Sequence, residues 1–184
     1  MSPVTPPGVG TILFTADEIA EAVSRLAGRL AEALPPEPIL LVGVLKGALF
    51  LTADLARALP PGVDARLDYL SVSSYAGGRS RGNVRLVQDV GQDVAGKHVV
   101  LVEDIVDTGL TLQFLREHLG GRKPASLRTC ALLDKPFRRS VDANVDFAAL
   151  PCPDAFIVGY GLDYQEKYRN LPYLAKLEPR VSER

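Results

Sequence analysis

Two short apolar runs limit what this chain can fold into more than any other feature. Ile39-Leu40-Leu41-Val42-Gly43-Val44-Leu45 and His98-Val99-Val100-Leu101-Val102 carry no charged residue and show no alternation of apolar with polar. A strand exposed on one face alternates, whereas one covered on both faces does not, so each run predicts a β-strand buried on two sides. Amphipathic segments follow them, Ala48 to Leu59 and Leu110 to Leu119. Another precedes the first run: Thr15-Ala16-Asp17-Glu18 is a capping box, Ile19, Val23, Leu26 and Leu30 follow at helical spacing, and Pro35-Pro36-Glu37-Pro38 stops the helix at about Leu34. Further strands are predicted over 65–73, 84–87, 127–133 and 147–150. Such alternation of buried strand and amphipathic helix predicts an α/β fold with a mostly parallel central sheet flanked by helices.

The length of 184 residues suits one domain, 1–184. Residues 1–10 read as a loose N-terminal tail, without the basic and apolar regions of a signal. Residues 74–83 are too rich in glycine and polar side chains to hold a packed element and read as a mobile loop joining two strands. The 21 Lys and Arg nearly balance the 22 Asp and Glu, so no global field draws the chain to nucleic acid or to a membrane. Small-molecule substrates are the expected partners. Cys130 and Cys152 lie far apart and form no CxxC or metal-binding spacing, which favours structural thiols in a reduced, cytoplasmic setting.

In sheets of this class ligands bind beyond the carboxyl ends of the strands, so the residues after Leu45 and Val102 carry the candidate chemistry. Val99-Val100-Leu101-Val102-Glu103-Asp104-Ile105-Val106-Asp107-Thr108-Gly109-Leu110-Thr111-Leu112 reads as a buried strand that ends in two carboxylates, then a turn of small residues, then a helix. Backbone N–H groups at Thr108, Gly109, Leu110 and Thr111 suit a phosphate at the positive helix end. Glu103 and Asp104 suit vicinal hydroxyls and a nearby Mg²⁺. The plainer alternative makes Asp107 the helix cap and leaves the other acids solvated. Neither a Walker loop nor a GxGxxG fingerprint is present.

This stretch resembles the phosphoribosyl pyrophosphate-binding motif of the type I phosphoribosyltransferases. Gly43-Val44-Leu45-Lys46-Gly47-Ala48, Leu132-Leu133-Asp134-Lys135-Pro136 and Pro153-Asp154-Ala155-Phe156-Ile157-Val158-Gly159-Tyr160-Gly161-Leu162-Asp163-Tyr164 narrow the resemblance to the hypoxanthine-guanine branch, over nearly the whole chain. Ala148-Ala149-Leu150-Pro151-Cys152 departs from that pattern, in packing more than in chemistry. The resemblance implies the type I phosphoribosyltransferase fold, with a small hood mainly from about 150–184.

The resemblance also implies roles. Glu103 and Asp104 hold the ribose hydroxyls, and Thr108, Gly109, Leu110 and Thr111 hold the 5′-phosphate. Asp107 takes or shares the purine N7 proton as N9 attacks the ribose carbon. Lys46 and Gly47 form the pyrophosphate loop, with a cis peptide between Leu45 and Lys46, and Arg169 assists there. Mg²⁺ is the implied cofactor, held by Asp163 and near Glu103 and Asp104. Lys135 donates to the purine 6-oxo group, Phe156 stacks on the ring, and the Ile157 backbone reads the base edge. Ser74 and Tyr75 belong to a lid that excludes water.

Taken without the resemblance, Lys46 is equally a solvated strand end, Phe156 a core residue, Arg169 and Asp163 a surface ion pair, and the loop an ordinary connection. The activity implied is purine salvage, giving IMP or GMP and pyrophosphate, in a homodimer or homotetramer. Alternatives are a non-catalytic regulator of this fold that binds phosphoribosyl pyrophosphate or RNA, and a transferase for another base such as xanthine.

Overall fold

The structure, a computed structural model, describes residues 6–74 and 84–178. Its centre is the pair of apolar runs. β2 (Ile39–Leu45) and β5 (His98–Val106) lie side by side and parallel, in register from Ile39 opposite His98 to Gly43 opposite Val102. Alternate side chains of β2 feed two separate cores. Ile39 and Leu41 join the cluster beneath α1 (Ala16–Ala33) and α2 (Leu49–Ala58), whereas Leu40, Val42 and Val44 join the one beneath α3 (Leu110–Gly120). Both parities are apolar because both faces are covered.

The main sheet runs β4-β3-β2-β5-β6-β7, with β3 at Ala65–Ser74, β4 at Val84–Gln88, β6 at Ser126–Asp134 and β7 at Phe147–Pro151. All neighbours are parallel except β3 and β4. The chain leaves β2 toward β3 on one side and returns as β5 on the other. The carboxyl ends of β2 and β5 therefore flank a switch point, where neighbouring connections diverge and leave a crevice. The predicted cap of α1 forms as a reciprocal pair: Glu18 N donates to Thr15 Oγ1 at 3.3 Å, and Thr15 N donates to the Glu18 carboxylate at 2.8 Å.

A second sheet forms the hood, three antiparallel strands in the order β1-β9-β8, with β1 at Val9–Phe14, β8 at Ile157–Val158 and β9 at Leu174–Leu177. It corrects two boundaries. The tail does not extend to residue 10, because Val9 is buried and pairs with Leu177. The hood draws two of its strands, β8 and β9, from the C-terminal segment, and β1 supplies the third. It does not start at 150, since β7 extends the main sheet through Leu150 opposite Leu133. β1 escapes detection because Val9-Gly10-Thr11-Ile12-Leu13-Phe14 lacks a clear period and its partner lies at the far end of the chain. Ser74 closes β3 opposite Val84; Tyr75 and the rest of the predicted loop lie outside the described residues.

Removing a fully buried side chain from β5 should cost far more than removing the cap. Leu101→Ala is expected to lower the unfolding free energy by about 2–5 kcal/mol, and Thr15→Ala by about 1 kcal/mol, both read as shifts in urea midpoint at unchanged slope.

Candidate active site

The carboxylates after Val102 stand within a strand rather than beyond one. Ile105 and Val106 continue the ladder opposite Leu133 and Asp134, so β5 runs four residues further than its apolar run suggests. The correction matters for Glu103 and Asp104, which the continued pairing of β5 with β6 now holds within the sheet. Glu103 is only 4% exposed, and its Oε1 has no hydrogen-bond partner among the described residues. Burial, and then the neighbouring Asp104 charge, push its carboxyl well above the ordinary range. Burial also raises Asp104, against the pull of the Ile105 N–H that donates to its Oδ1 at 2.8 Å.

Past Val106 the chain turns through Asp107 and Thr108 into α3. Gly109 caps that helix at φ 85°, a left-handed conformation that glycine adopts freely, and a Cβ there would stand 2.8 Å from the Ala143 Cβ. Asp107 is therefore not the cap. Its carboxylate accepts no hydrogen bond among the described residues, and the nearby cation Arg138 stays 3.9 Å away. What holds the turn is Arg139, a residue the sequence reading passed over. Its guanidinium donates to the carbonyls of Val106 at 2.7 Å, Asp107 at 2.6 Å and Ala143 at 2.9 Å, and pairs with the Asp134 carboxylate. The only signal in the sequence was a pair of adjacent arginines shortly after Lys135.

Two cavities open at this end of the sheet. The larger, about 590 Å³, is lined by Lys46, Gly47, Glu103, Asp104, Thr111, Asp163, Glu166 and Arg169, with Ser71, Val72 and Ser73 of β3. The smaller, about 180 Å³, is lined by Asp107, Lys135, Phe156, Ile157 and Leu162. Asp104, Ile105 and Asp163 line both, so the two spaces adjoin over these residues. Of the phosphate-turn residues Thr111 lines the larger cavity, and Thr108, Gly109 and Leu110 line neither of the two.

On the β2 side the Leu45–Lys46 peptide is cis, and a Cβ on Gly47 would overlap the Asp104 carboxylate. Only a residue without a side chain lets the two strand ends come so close. Lys46 Nζ donates to Glu166 Oε2 at 2.7 Å, and Arg169 reaches Glu166 Oε1 at 3.0 Å, Asp163 Oδ1 at 2.8 Å and the Gly161 carbonyl at 2.8 Å. Glu166, like Arg139, was not singled out from the sequence.

In the smaller cavity Lys135 is buried at 4% exposure, and its ammonium donates to the Ala155 carbonyl at 2.7 Å. Two of its three donor hydrogens remain for other acceptors. Phe156 is not a core residue: at 55% exposure its ring stands at the cavity edge, T-shaped against Tyr164 at 5.6 Å. Ile157 is buried in β8 opposite Lys176 of β9. His98 and His118 stay outside both cavities, bonded to Ser126 and Asp89 respectively.

A carboxyl that burial drives upward binds its proton more tightly in the folded state, so it contributes stability below its unfolded value, 4.5, that is lost as pH rises toward the folded one. Glu103→Gln should therefore unfold at a higher urea concentration than the parent at about pH 7, and the advantage should shrink toward zero as pH falls to about 4. Equal midpoints across that range would show that Glu103 is not strained by its burial.

Comparison with known proteins agrees with this geometry. The family model "Phosphoribosyl transferase domain" matches residues 11–165. The hypoxanthine-guanine phosphoribosyltransferase of Streptococcus pneumoniae is 43% identical over 171 residues, covering 92% of this chain and 94% of that protein. The Bacillus subtilis enzyme of the same name is 42% identical over 173 residues, covering 94% and 95%. Among solved structures, the hypoxanthine phosphoribosyltransferase of Trypanosoma cruzi in complex with the product IMP superposes with a TM-score of 0.88 at 42% identity, covering 97% of this chain and all of that one. The Bacillus anthracis hypoxanthine-guanine enzyme gives 0.86 at 41%, covering 91% and 98%. The chain belongs to the hypoxanthine-guanine phosphoribosyltransferase family, with the α/β fold of the type I phosphoribosyltransferases.

Proposed function

We propose that this site transfers the 5-phosphoribosyl group from phosphoribosyl pyrophosphate to N9 of hypoxanthine or guanine, giving IMP or GMP and pyrophosphate, in purine salvage. One observation carries the reading. A free carboxylate, Asp107, and a buried ammonium, Lys135, line one small cavity that adjoins a larger one lined by carboxylates and cations.

In this reading the purine enters the smaller cavity beside Phe156, with Lys135 donating to its 6-oxo group and the Ile157 backbone along its edge. Asp107 takes or shares the N7 proton, which raises the electron density at N9 as that atom attacks the ribose carbon. The lack of any hydrogen bond to its carboxylate among the described residues leaves both oxygens able to accept. Glu103 and Asp104 hold the ribose hydroxyls; the orphaned Oε1 of Glu103 is an acceptor that such a hydroxyl would satisfy. The turn from Thr108 to Thr111 receives the 5′-phosphate at the N-terminus of α3, where unpaired backbone N–H groups and the helix dipole favour an anion. Lys46, Gly47 and Arg169 receive the diphosphate, and Ser74 and Tyr75 complete the lid.

The donors suit a hard divalent cation, since Glu103, Asp104 and Asp163 offer only carboxylate oxygens. Among the described residues no three such side chains gather into a closed cage, and Mg²⁺ characteristically binds through one or two carboxylates together with substrate oxygens. When bound, Mg²⁺ supplies charge neutralisation for the leaving diphosphate.

A cytoplasmic homodimer or homotetramer completes the reading. It is supported by two unpaired cysteines and by the exposed apolar side chains Leu49, Phe50, Leu67 and Val87, which a second copy would cover.

Two measurements test the assignment. Asp107→Asn should lower kcat by about 10²–10⁴ with phosphoribosyl pyrophosphate binding nearly intact; a kcat close to the parent's would remove the proton-transfer role. Adenine, which turns a 6-amino donor toward the Lys135 ammonium, should be poorer than hypoxanthine by about 10⁴ in kcat/KM, and Lys135→Gln should narrow that gap. Comparable kcat/KM for the two bases in the parent protein would overturn the 6-oxopurine reading.

A further inference from the structure

The segment that carries Asp163 ends in a two-residue turn. Tyr164 N donates to the Lys167 carbonyl at 3.2 Å, Lys167 N donates back at 3.1 Å, and the residues between, Gln165 and Glu166, have φ of 52° and 62°. Two successive left-handed residues define a type I′ turn, whose positions favour glycine and asparagine. Here they hold a glutamine and a glutamate. Glu166 N also donates to Asp163 Oδ2 at 2.8 Å, which ties the turn to the wall of the larger cavity.

The result is a carboxylate aimed at the two cations of that cavity. Glu166 Oε2 accepts from Lys46 Nζ at 2.7 Å and Oε1 from Arg169 Nη2 at 3.0 Å. The Lys46 hydrogen bond first, and that of Arg169 next, hold the Glu166 carboxyl below its usual range. No core packing fixes it in place: side-chain exposure is 64% for Glu166 and 66% for Lys46. Rotation into solvent would leave the fold unchanged.

Lys46 and Arg169 are the cations assigned above to the diphosphate. A bound diphosphate and the Glu166 carboxylate would compete for the same donor hydrogens. We propose that Glu166 is the internal counter-anion of the pyrophosphate subsite: it occupies Lys46 and Arg169 in the empty protein, yields to a diphosphate, and returns as pyrophosphate leaves.

The inference rests on the reading of Lys46 and Arg169 as pyrophosphate ligands. Its consequence is selection by charge. A singly or doubly charged anion such as inorganic phosphate gains little by replacing a carboxylate already in place. A diphosphate with its metal offers more charge and more acceptor oxygens, and displaces it. Exposed ion pairs are weak, so the carboxylate sets a threshold without blocking the site.

The test uses the full chain and two ligands, pyrophosphate with Mg²⁺ and inorganic phosphate, titrated calorimetrically. Glu166→Gln keeps the length of the side chain and removes its charge. It should bind pyrophosphate about three- to tenfold more tightly than the parent, and inorganic phosphate should gain by a larger factor, so that the preference for pyrophosphate narrows. Glu166→Asp, charged but one methylene shorter, should fall between the two. A gain in affinity is what a merely structural role would not produce.

Arg169→Gln serves as the control for the subsite itself and should weaken pyrophosphate binding. If Arg169→Gln weakens binding while Glu166→Gln stays within about twofold of the parent or binds more weakly, the pair is an ordinary exposed ion pair and the inference fails alone. If Arg169→Gln leaves pyrophosphate binding unchanged, the assignment of the subsite fails and takes the inference with it.

Discussion

The parallel pairing of β2 with β5 is the constraint on which the site depends. Both strands are buried on both faces, so neither can slide by one residue without turning its apolar side chains out of one core and into the other. Register therefore fixes what meets beyond their carboxyl ends. Leu45 and Lys46, at and just past the end of β2, line one cavity with Glu103 and Asp104 of β5, and Gly47 lies against the Asp104 carboxylate with no room for a Cβ. The closeness of a cationic loop to a pair of acids is a product of sheet geometry, and it would be difficult to build on loops alone.

Around that junction the protein rests its cations on partners that a ligand can replace. Lys135 rests on the Ala155 carbonyl, Lys46 on Glu166, and Arg169 on Gly161 and Asp163. Each cation keeps donors or an exposed partner that a ligand can take over. The acids differ from one another. Among the described residues Glu103 is buried without a partner for Oε1, Asp104 accepts from a backbone N–H, and Asp107 is half-buried with Arg138 3.9 Å away. Three carboxylates within five residues thus face three environments, and environment sets what each can do with a proton. Arg139 keeps them in order by anchoring the carbonyls on either side of the Val106–Asp107 step to β6.

Much of this was legible in the residues because it rests on local chemistry. The cap of α1, the doubly buried runs of β2 and β5 and the helix after Gly109 each leave a short-range signature. What escaped depends on partners far away in the chain. β1 has no period of its own and is a strand because β9 pairs with it. The extension of β5 through Glu103 and Asp104 contradicts the rule that acids leave a buried strand, and β6 overrides that rule by pairing as far as Val106. Arg139 and Glu166 carry no signature of their own in the sequence, and only the folded chain reveals that one clamps a turn and the other reaches two cations. Phe156 shows the same limit in reverse, since its residue type suggested core and the hood leaves it at a cavity edge.

The hood's composition from both ends of the chain sets an order of events during synthesis. Every strand of the main sheet, and the turn that precedes α3, leaves the ribosome before Ile157 does. β9, which lies between β1 and β8, comes last. Val9 must then wait for Leu177 before that edge of β1 is paired. A nascent or truncated chain lacking β9 would have its phosphate-facing turn and Lys135 in place, while β8, which carries Ile157, would have no strand to pair with.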